Sequence, residues 1–359
     1  MIKDPTGRID VHFHAMTPTF RKALTSKSLG PIIRTPEWSP DLAVEFLDRQ
    51  ETAAGILSVS IPGTHLGDDA EARVLARRVN EEFASYIAAR PDRFGAFAAI
   101  PLPDVDGACR EAEYALDTLK LDGVGLFASY DGRYPGLPEF DPLLEVLNRR
   151  SAVAFIHPTN HPSTKMIRQG ISPGIGNFLV EFLFDTTRAA LNFIFFDALD
   201  RFPDIRFILA HAGGTLPFVA YRVSELVAKQ MNEPPWDTQY QSPFMTRYGR
   251  SLTQDIFLNQ LRRFWYDTAL SVGRQSLGSL KEVADPSRLL FGSDWPYANE
   301  AVANDMRAAR FRSGMFTDRE QQAIDCDNAL QLFPRFARQG EFGAVNSGTE
   351  TEFQPKLGY

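Results

Sequence analysis

Eight short apolar runs recur along this chain, and each of the first seven is followed, closely or after a connection, by a stretch with the spacing of an amphipathic helix. They occupy residues 8–14, 53–60, 93–100, 122–129, 152–158, 205–212, 263–269 and 288–294. The runs are almost continuously apolar rather than alternating, as a strand covered on both faces requires. The segments 69–90, 104–120, 140–150 and 184–202 carry apolar residues at spacings of three and four, which predicts helices. Strand–helix alternation of this kind predicts a parallel sheet closed as a (β/α)8 barrel of the TIM type. An open doubly wound sheet is the rival. No Gly-x-Gly-x-x-Gly turn follows an early strand, which weakens the dinucleotide-binding version of that rival.

Two connections exceed ordinary loop length. Residues 15–40 follow the first strand and read as a lid-like insertion, and residues 232–254 precede the seventh. Residues 1–339 are expected to form the barrel, and residues 340–359, polar and irregular, a C-terminal arm.

Composition narrows the partners. The chain has 359 residues and a net charge of -7, with Lys and Arg scattered among acidic residues, which argues against nucleic acid. The two cysteines, Cys109 and Cys326, are far apart and in no metal-binding spacing, so a reducing, cytoplasmic setting is expected. The N-terminal residues lack the apolar core of a signal peptide. The greasiest segment, 190–199, is too short to span a bilayer and contains Asp197, so no membrane partner is expected.

The chemistry lies at the ends of the apolar runs. His12 and His14 sit two apart in the first run, so in a strand they share a face and make a two-nitrogen metal platform. His157, His211 and Asp294 end the fifth, sixth and eighth runs. Barrel enzymes build their sites at these strand ends, and so many ionisable groups there would be costly to bury without a partner. Three imidazoles and a carboxylate suit zinc, with manganese as the alternative. The fourth run has no Lys or Glu near its end, and Lys120 precedes it, so a bridged pair of metals is not expected and one ion per chain is. His65 and His161 lie in turn-like stretches and read as solvated loop histidines.

The motifs "IDVHFH", "AFIHP", "FILAHAGGTLPF" and "LLFGSDWPY", in that order, resemble the amidohydrolase-2 branch of the amidohydrolase superfamily, from about Ile9 to Phe333. The resemblance implies a metal-dependent, non-oxidative decarboxylase acting on a small carboxylic acid. It assigns His12, His14, His157 and Asp294 as metal ligands, His211 as the catalytic histidine beside the metal, and Asp294 as a catalytic carboxylate as well. It also matches Arg222 to an arginine that in some relatives reaches a substrate carboxylate, sometimes across a subunit boundary, so a homodimer or homotetramer is expected. Arg34 and Arg49 are further candidates for that contact.

Loss of CO2 leaves electron density on carbon, so the barrier falls if that carbon is protonated first. For a hydroxylated aromatic acid, Asp294 would carry a proton to the ring carbon; for an unsaturated acid, His211 would activate water for addition to the double bond. The same ligand set also suits a mononuclear hydrolase of a lactone or amide. A non-catalytic barrel would leave His211 without a task.

Overall fold

The computed structural model describes residues 7–29, 34–172, 174–232 and 242–337. Eight parallel strands form a barrel in chain order: β1 (Arg8–His14), β2 (Thr52–Ser58), β3 (Phe94–Ala99), β4 (Gly123–Phe127), β5 (Val153–His157), β6 (Arg206–Leu209), β7 (Trp265–Asp267) and β8 (Leu289–Leu290). The last strand and its loop close onto the first through Val11 N–H to Phe291 O at 3.0 Å, Asp294 N–H to His12 O at 2.9 Å and His14 N–H to Trp295 O at 2.7 Å. The (β/α)8 expectation is met, with all eight strands where the apolar runs lie.

A register shift in β1 sets up the interior. Asp10 faces Gly55 while Phe13 faces Leu57, so three steps along β1 match two along β2. Such a slip exchanges the faces of the residues on either side of it. Ile9 and Val11 therefore join Phe97, Phe155, Ile208 and Leu290 in the inner core, while His12, beyond the slip, also packs inward with its ring centroid 4.9 Å from that of Phe155. Phe13 packs outward in the layer between strands and helices. The inner core thus fills the lower barrel, where Leu332 and Phe333 close it. The histidines stand on this apolar floor.

Three expectations need amendment. The helix expected over 184–202 is two pieces, Glu181–Phe195 and Ala198–Arg201, because Asp197 turns left-handed (φ 61°) and pairs with Arg247. The connection 15–40 contains a helix in its described part, Pro18–Ser26, capped by Thr17 and anchored by buried Phe20 and Leu24. The connection 232–254 contains a helix, Pro243–Tyr248, in its described part. The arm expected over 340–359 lies outside the described residues. No helix among the described residues is long and apolar enough to cross a membrane.

Candidate active site

Nitrogen and oxygen atoms of His12, His14, His157 and Asp294 all lie within 4.8 Å of one another at the C-terminal ends of β1, β5 and β8. His12 Nε2 is 3.1 Å from His14 Nε2. Asp294 Oδ1 is 3.4 Å from His12 Nε2 and 3.2 Å from His14 Nε2. All four residues are buried.

The outward nitrogens of the rings are already engaged. His12 Nδ1 donates to Asp267 Oδ2 at 2.9 Å, and His157 Nδ1 to the Pro158 carbonyl at 2.8 Å. His14 Nδ1 lies 2.9 Å from Ser58 Oγ. Carboxylate and carbonyl oxygens only accept, so the Nδ1 atoms of His12 and His157 carry the protons and their Nε2 atoms present lone pairs inward. Two ring nitrogens facing each other beside a carboxylate, out of water, call for a shared cation. The donor set fits a single divalent ion, by its chemistry and by its outer hydrogen bonds.

Electrostatics agree with that convergence. Burial opposes charge on His12, but the Asp267 and Asp294 carboxylates outweigh it and raise its pKa to about 10, so the carboxylates favour a positive charge at Nε2, which a divalent cation would supply in place of a second proton. Burial holds His14, His157 and His211 below the ordinary histidine value, helped in each case by a neighbouring imidazole. Burial also disfavours the Asp294 anion, but hydrogen bonds from His12 and His14 reverse this and hold its carboxyl well below the usual range.

His211 stands beside the cluster in the turn after β6. Its Nδ1 donates to the Ala269 carbonyl at 3.1 Å, and its ring centroid is 4.8 Å from that of His12. His211, Ala212 and Asp294 all have left-handed backbones, with φ of 55°, 57° and 60°. Such conformations are strained for residues with a Cβ and persist only where the surroundings impose them. The glycines of "AGG" have a steric reason: at Gly214 (φ 68°), a Cβ would come 2.1 Å from the Leu183 carbonyl oxygen.

Sequence reasoning missed Asp267. Its Oδ2 holds His12, while its Oδ1 accepts the backbone N–H groups of His211 (3.1 Å) and Ala269 (2.9 Å). One buried carboxylate thus orients a candidate ligand and the candidate catalytic histidine together. The signal was available: Asp267 ends the seventh apolar run as His157 ends the fifth. Its grouping with His12 and His211 reads as this hydrogen-bond network, because the His12 nitrogen concerned is already bonded to Asp267. Asp10 was missed as well. It accepts the backbone N–H groups of His12 (3.1 Å) and Ser293 (3.0 Å), tying β1 to the loop after β8, and burial pushes its pKa up to about 7. Replacing Asp267 with Ala should cost roughly 10–100-fold in metal affinity or turnover, as loss of an outer partner of a ligating histidine usually does. Metal analysis and steady-state kinetics on that variant check this; unchanged values for both would leave Asp267 without the role.

The other candidates are elsewhere. His65 pairs with Asp69 at 2.9 Å, and His161 stacks on Tyr134. Arg49 pairs with Glu300 on the surface. Arg34 reaches the carbonyl of Tyr297 at 2.8 Å, and the Tyr297 ring lies against His14 with centroids 5.4 Å apart. Arg222 is exposed on the helix Leu216–Asn232 and makes no contact with the cluster. Lys120 precedes β4, as expected, and none of Phe127, Ala128 and Ser129 at the end of that strand is a Lys or carboxylate.

The sequence profile of the amidohydrolase family matches residues 9–335. The chain belongs to this family. As an amidohydrolase it aligns nearly end to end with proteins of named activity. The 6-methylsalicylic acid decarboxylase of Penicillium expansum is 33% identical over 336 residues, covering 92% of this chain and 97% of the relative. The crystal structure of a 2,6-dihydroxybenzoate decarboxylase with 2,6-dihydroxybenzoate is similar, with a TM-score of 0.74 and 25% identity over 91% of this chain and 99% of that one. A dihydroxybenzoic acid decarboxylase from Polaromonas sp., with bound manganese and 2-nitroresorcinol, shares the fold with a TM-score of 0.75 and 24% identity over 94% and 99% of the two chains.

Proposed function

We propose that this amidohydrolase is a carbon–carbon lyase that removes CO2 from a hydroxylated aromatic acid of the salicylate type. The observation that carries the reading is the buried convergence of His12, His14, His157 and Asp294, with His211 beside it, in a chain that aligns over most of its length with decarboxylases of such acids. Relatives named for 6-methylsalicylic acid are more similar to it than those named for γ-resorcylate, at 33–34% against 26–28% identity, which favours a mono-hydroxylated, alkyl-bearing ring.

His12, His14, His157 and Asp294 would hold one divalent ion, zinc by donor type, with manganese to be tested beside it because a protein of the same fold carries it. Such an ion would supply a Lewis-acid anchor for the carboxylate and its neighbouring hydroxyl. The residues do the rest. Asp294, an anion in its resting state, takes the proton of the substrate's hydroxyl and delivers it to the ring carbon that bears the carboxylate. The carbon–carbon bond then breaks, its electron pair restores the aromatic ring, and CO2 leaves. The Ala269 carbonyl holds the proton of His211 on Nδ1, so Nε2 keeps a lone pair with which it can share the proton in transit. The apolar floor under His12 excludes water from the ring-bearing side.

The carboxylate needs a fixed cation. Within one subunit Arg222 faces solvent, close in sequence to Phe218 and Tyr221, which are 81% and 69% exposed. A second copy of the chain would cover these side chains, and in such a dimer Arg222 serves the neighbouring site. Arg222→Ala is then expected to raise KM roughly tenfold or more with metal content unchanged, from the 1.5–3 kcal/mol of a charged hydrogen bond. An unchanged KM would leave Arg34, beside Tyr297, to hold the carboxylate.

The competing reading is a mononuclear hydrolase. Metal-loaded protein should be offered a panel of hydroxybenzoates and aryl lactones with headspace CO2 and ring opening recorded together. CO2 from a hydroxybenzoate supports the lyase; lactone opening without CO2 from any acid overturns it.

A further inference from the structure

Arginines gather at the opposite end of the barrel. Arg206 opens β6, Arg288 directly precedes β8, and Arg263 lies two residues before the first residue of β7, Trp265. With Ser151 and Asp204 they line one cavity of about 280 Å³. Three guanidinium groups thus face a space whose lining includes a single carboxylate, in a chain whose net charge is -7.

The three are not equally committed. Arg263 is held by Asp200, by the Gln260 side chain at 2.9 Å and by the Leu199 carbonyl. Its charge has a partner, and its task is structural. Arg288 donates one Nη1–H to the Arg263 carbonyl and lies over the Trp265 ring, 5.5 Å from the centroid. Stacking fixes the plane of that guanidinium and leaves its remaining N–H groups free to point elsewhere. Arg206 is exposed and has no carboxylate partner among the described residues, and neither has Arg288. Asp204 is also exposed, and its backbone N–H is tied to Asn148 Oδ1 at 2.9 Å, which pins the rim of the cavity.

Like charges concentrated around a cavity raise one another's energy unless an anion joins them. Arginine forks match tetrahedral oxyanions with paired hydrogen bonds. At about 280 Å³ the cavity has room for a phosphoryl group and for part of the group it is esterified to. We propose that it binds a small phosphoryl dianion, either free phosphate or a phosphate monoester, held by Arg206 and the free edge of Arg288. The site is separate from the catalytic cluster: it sits where the strands begin and the cluster where they end. β7 links them over three residues, with Trp265 in the cavity wall and Asp267 on His12.

Calorimetric titration tests this, with inorganic phosphate in one arm and a nucleoside monophosphate in another, at constant ionic strength in chloride. One equivalent should bind per chain. Arg206→Gln and Arg288→Gln should each weaken binding at least roughly tenfold, as loss of a charge-assisted pair does. The His12→Ala, His14→Ala double variant should bind as the parent does, which separates this cavity from the metal cluster. Preference for phosphate or for the ester identifies the source of the dianion, and either supports the site. The Arg206 side chain has no hydrogen bond or ion pair among the described residues, so its variant decides the matter even if Arg288→Gln fails to fold. Binding that survives Arg206→Gln, that vanishes with the two histidines, or that is absent in both arms overturns the proposal.

Discussion

Replacing His211 with alanine is expected to lower kcat by roughly 10²–10⁴-fold while leaving one metal per chain. The range is that of a positioned acid–base group. The expectation rests on where the ring stands. His211 contacts the cluster through His12, but the four atoms that converge within 4.8 Å belong to His12, His14, His157 and Asp294. Its removal opens space beside the ion without removing a ligand. It should therefore act on turnover and spare both metal content and the melting temperature of the loaded protein. His211→Asn should recover little, because an amide cannot take and return a proton. Turnover near that of the parent would remove His211 from the chemistry.

Asp294→Asn is expected to have the larger effect, a loss of at least roughly 10⁴-fold together with the metal, because one substitution removes both a ligand and the proton carrier. The side chain is nearly isosteric, so packing around it is kept. What changes is charge. The Asp294 anion is held by His12 and His14 on one side and by a strained backbone on the other. An amide there would turn either a neutral oxygen or two N–H groups toward the imidazole lone pairs. Metal analysis at two metal concentrations separates the two losses. If saturating metal restores occupancy but not turnover, proton transfer is the part that remains missing. Full turnover in the asparagine variant would refute both roles.

Much of this site was legible before the structure because strand ends are marked in the sequence. The first, fifth, sixth and eighth apolar runs stop at or beside an ionisable residue, and in a parallel barrel those stops meet on one rim. His12, His14, His157, His211 and Asp294 are all found that way. Asp267 obeys the same rule, but a single aspartate after Trp265 and Tyr266 carries no spacing signal. The register shift in β1 was not legible at all. Strict alternation places Ile9 and Val11 on the face opposite His12, and only the pairing with β2 shows that a one-residue slip turns both sets inward. The break at Asp197 was hidden for a related reason: the helical spacing continues through it, and the turn is set by its ion pair with Arg247 from a distant segment. Arg222 illustrates the converse. Its position in a motif was readable, but the partner it serves is a matter of assembly, which local sequence does not encode.

The central claim is that the ring carbon is protonated and CO2 is lost at the Asp294 site. It is tested most directly with 6-methylsalicylic acid labelled with ¹³C in the carboxyl group, turned over by metal-loaded protein in D2O. Labelled CO2 is expected in equal amount to the phenol, with one deuterium at the carbon the carboxyl group has left, and neither product with Asp294→Asn. A metal-loaded protein that leaves this acid and the wider hydroxybenzoate panel intact while opening a lactone, or a phenol whose deuterium lies at any other ring position, would contradict it.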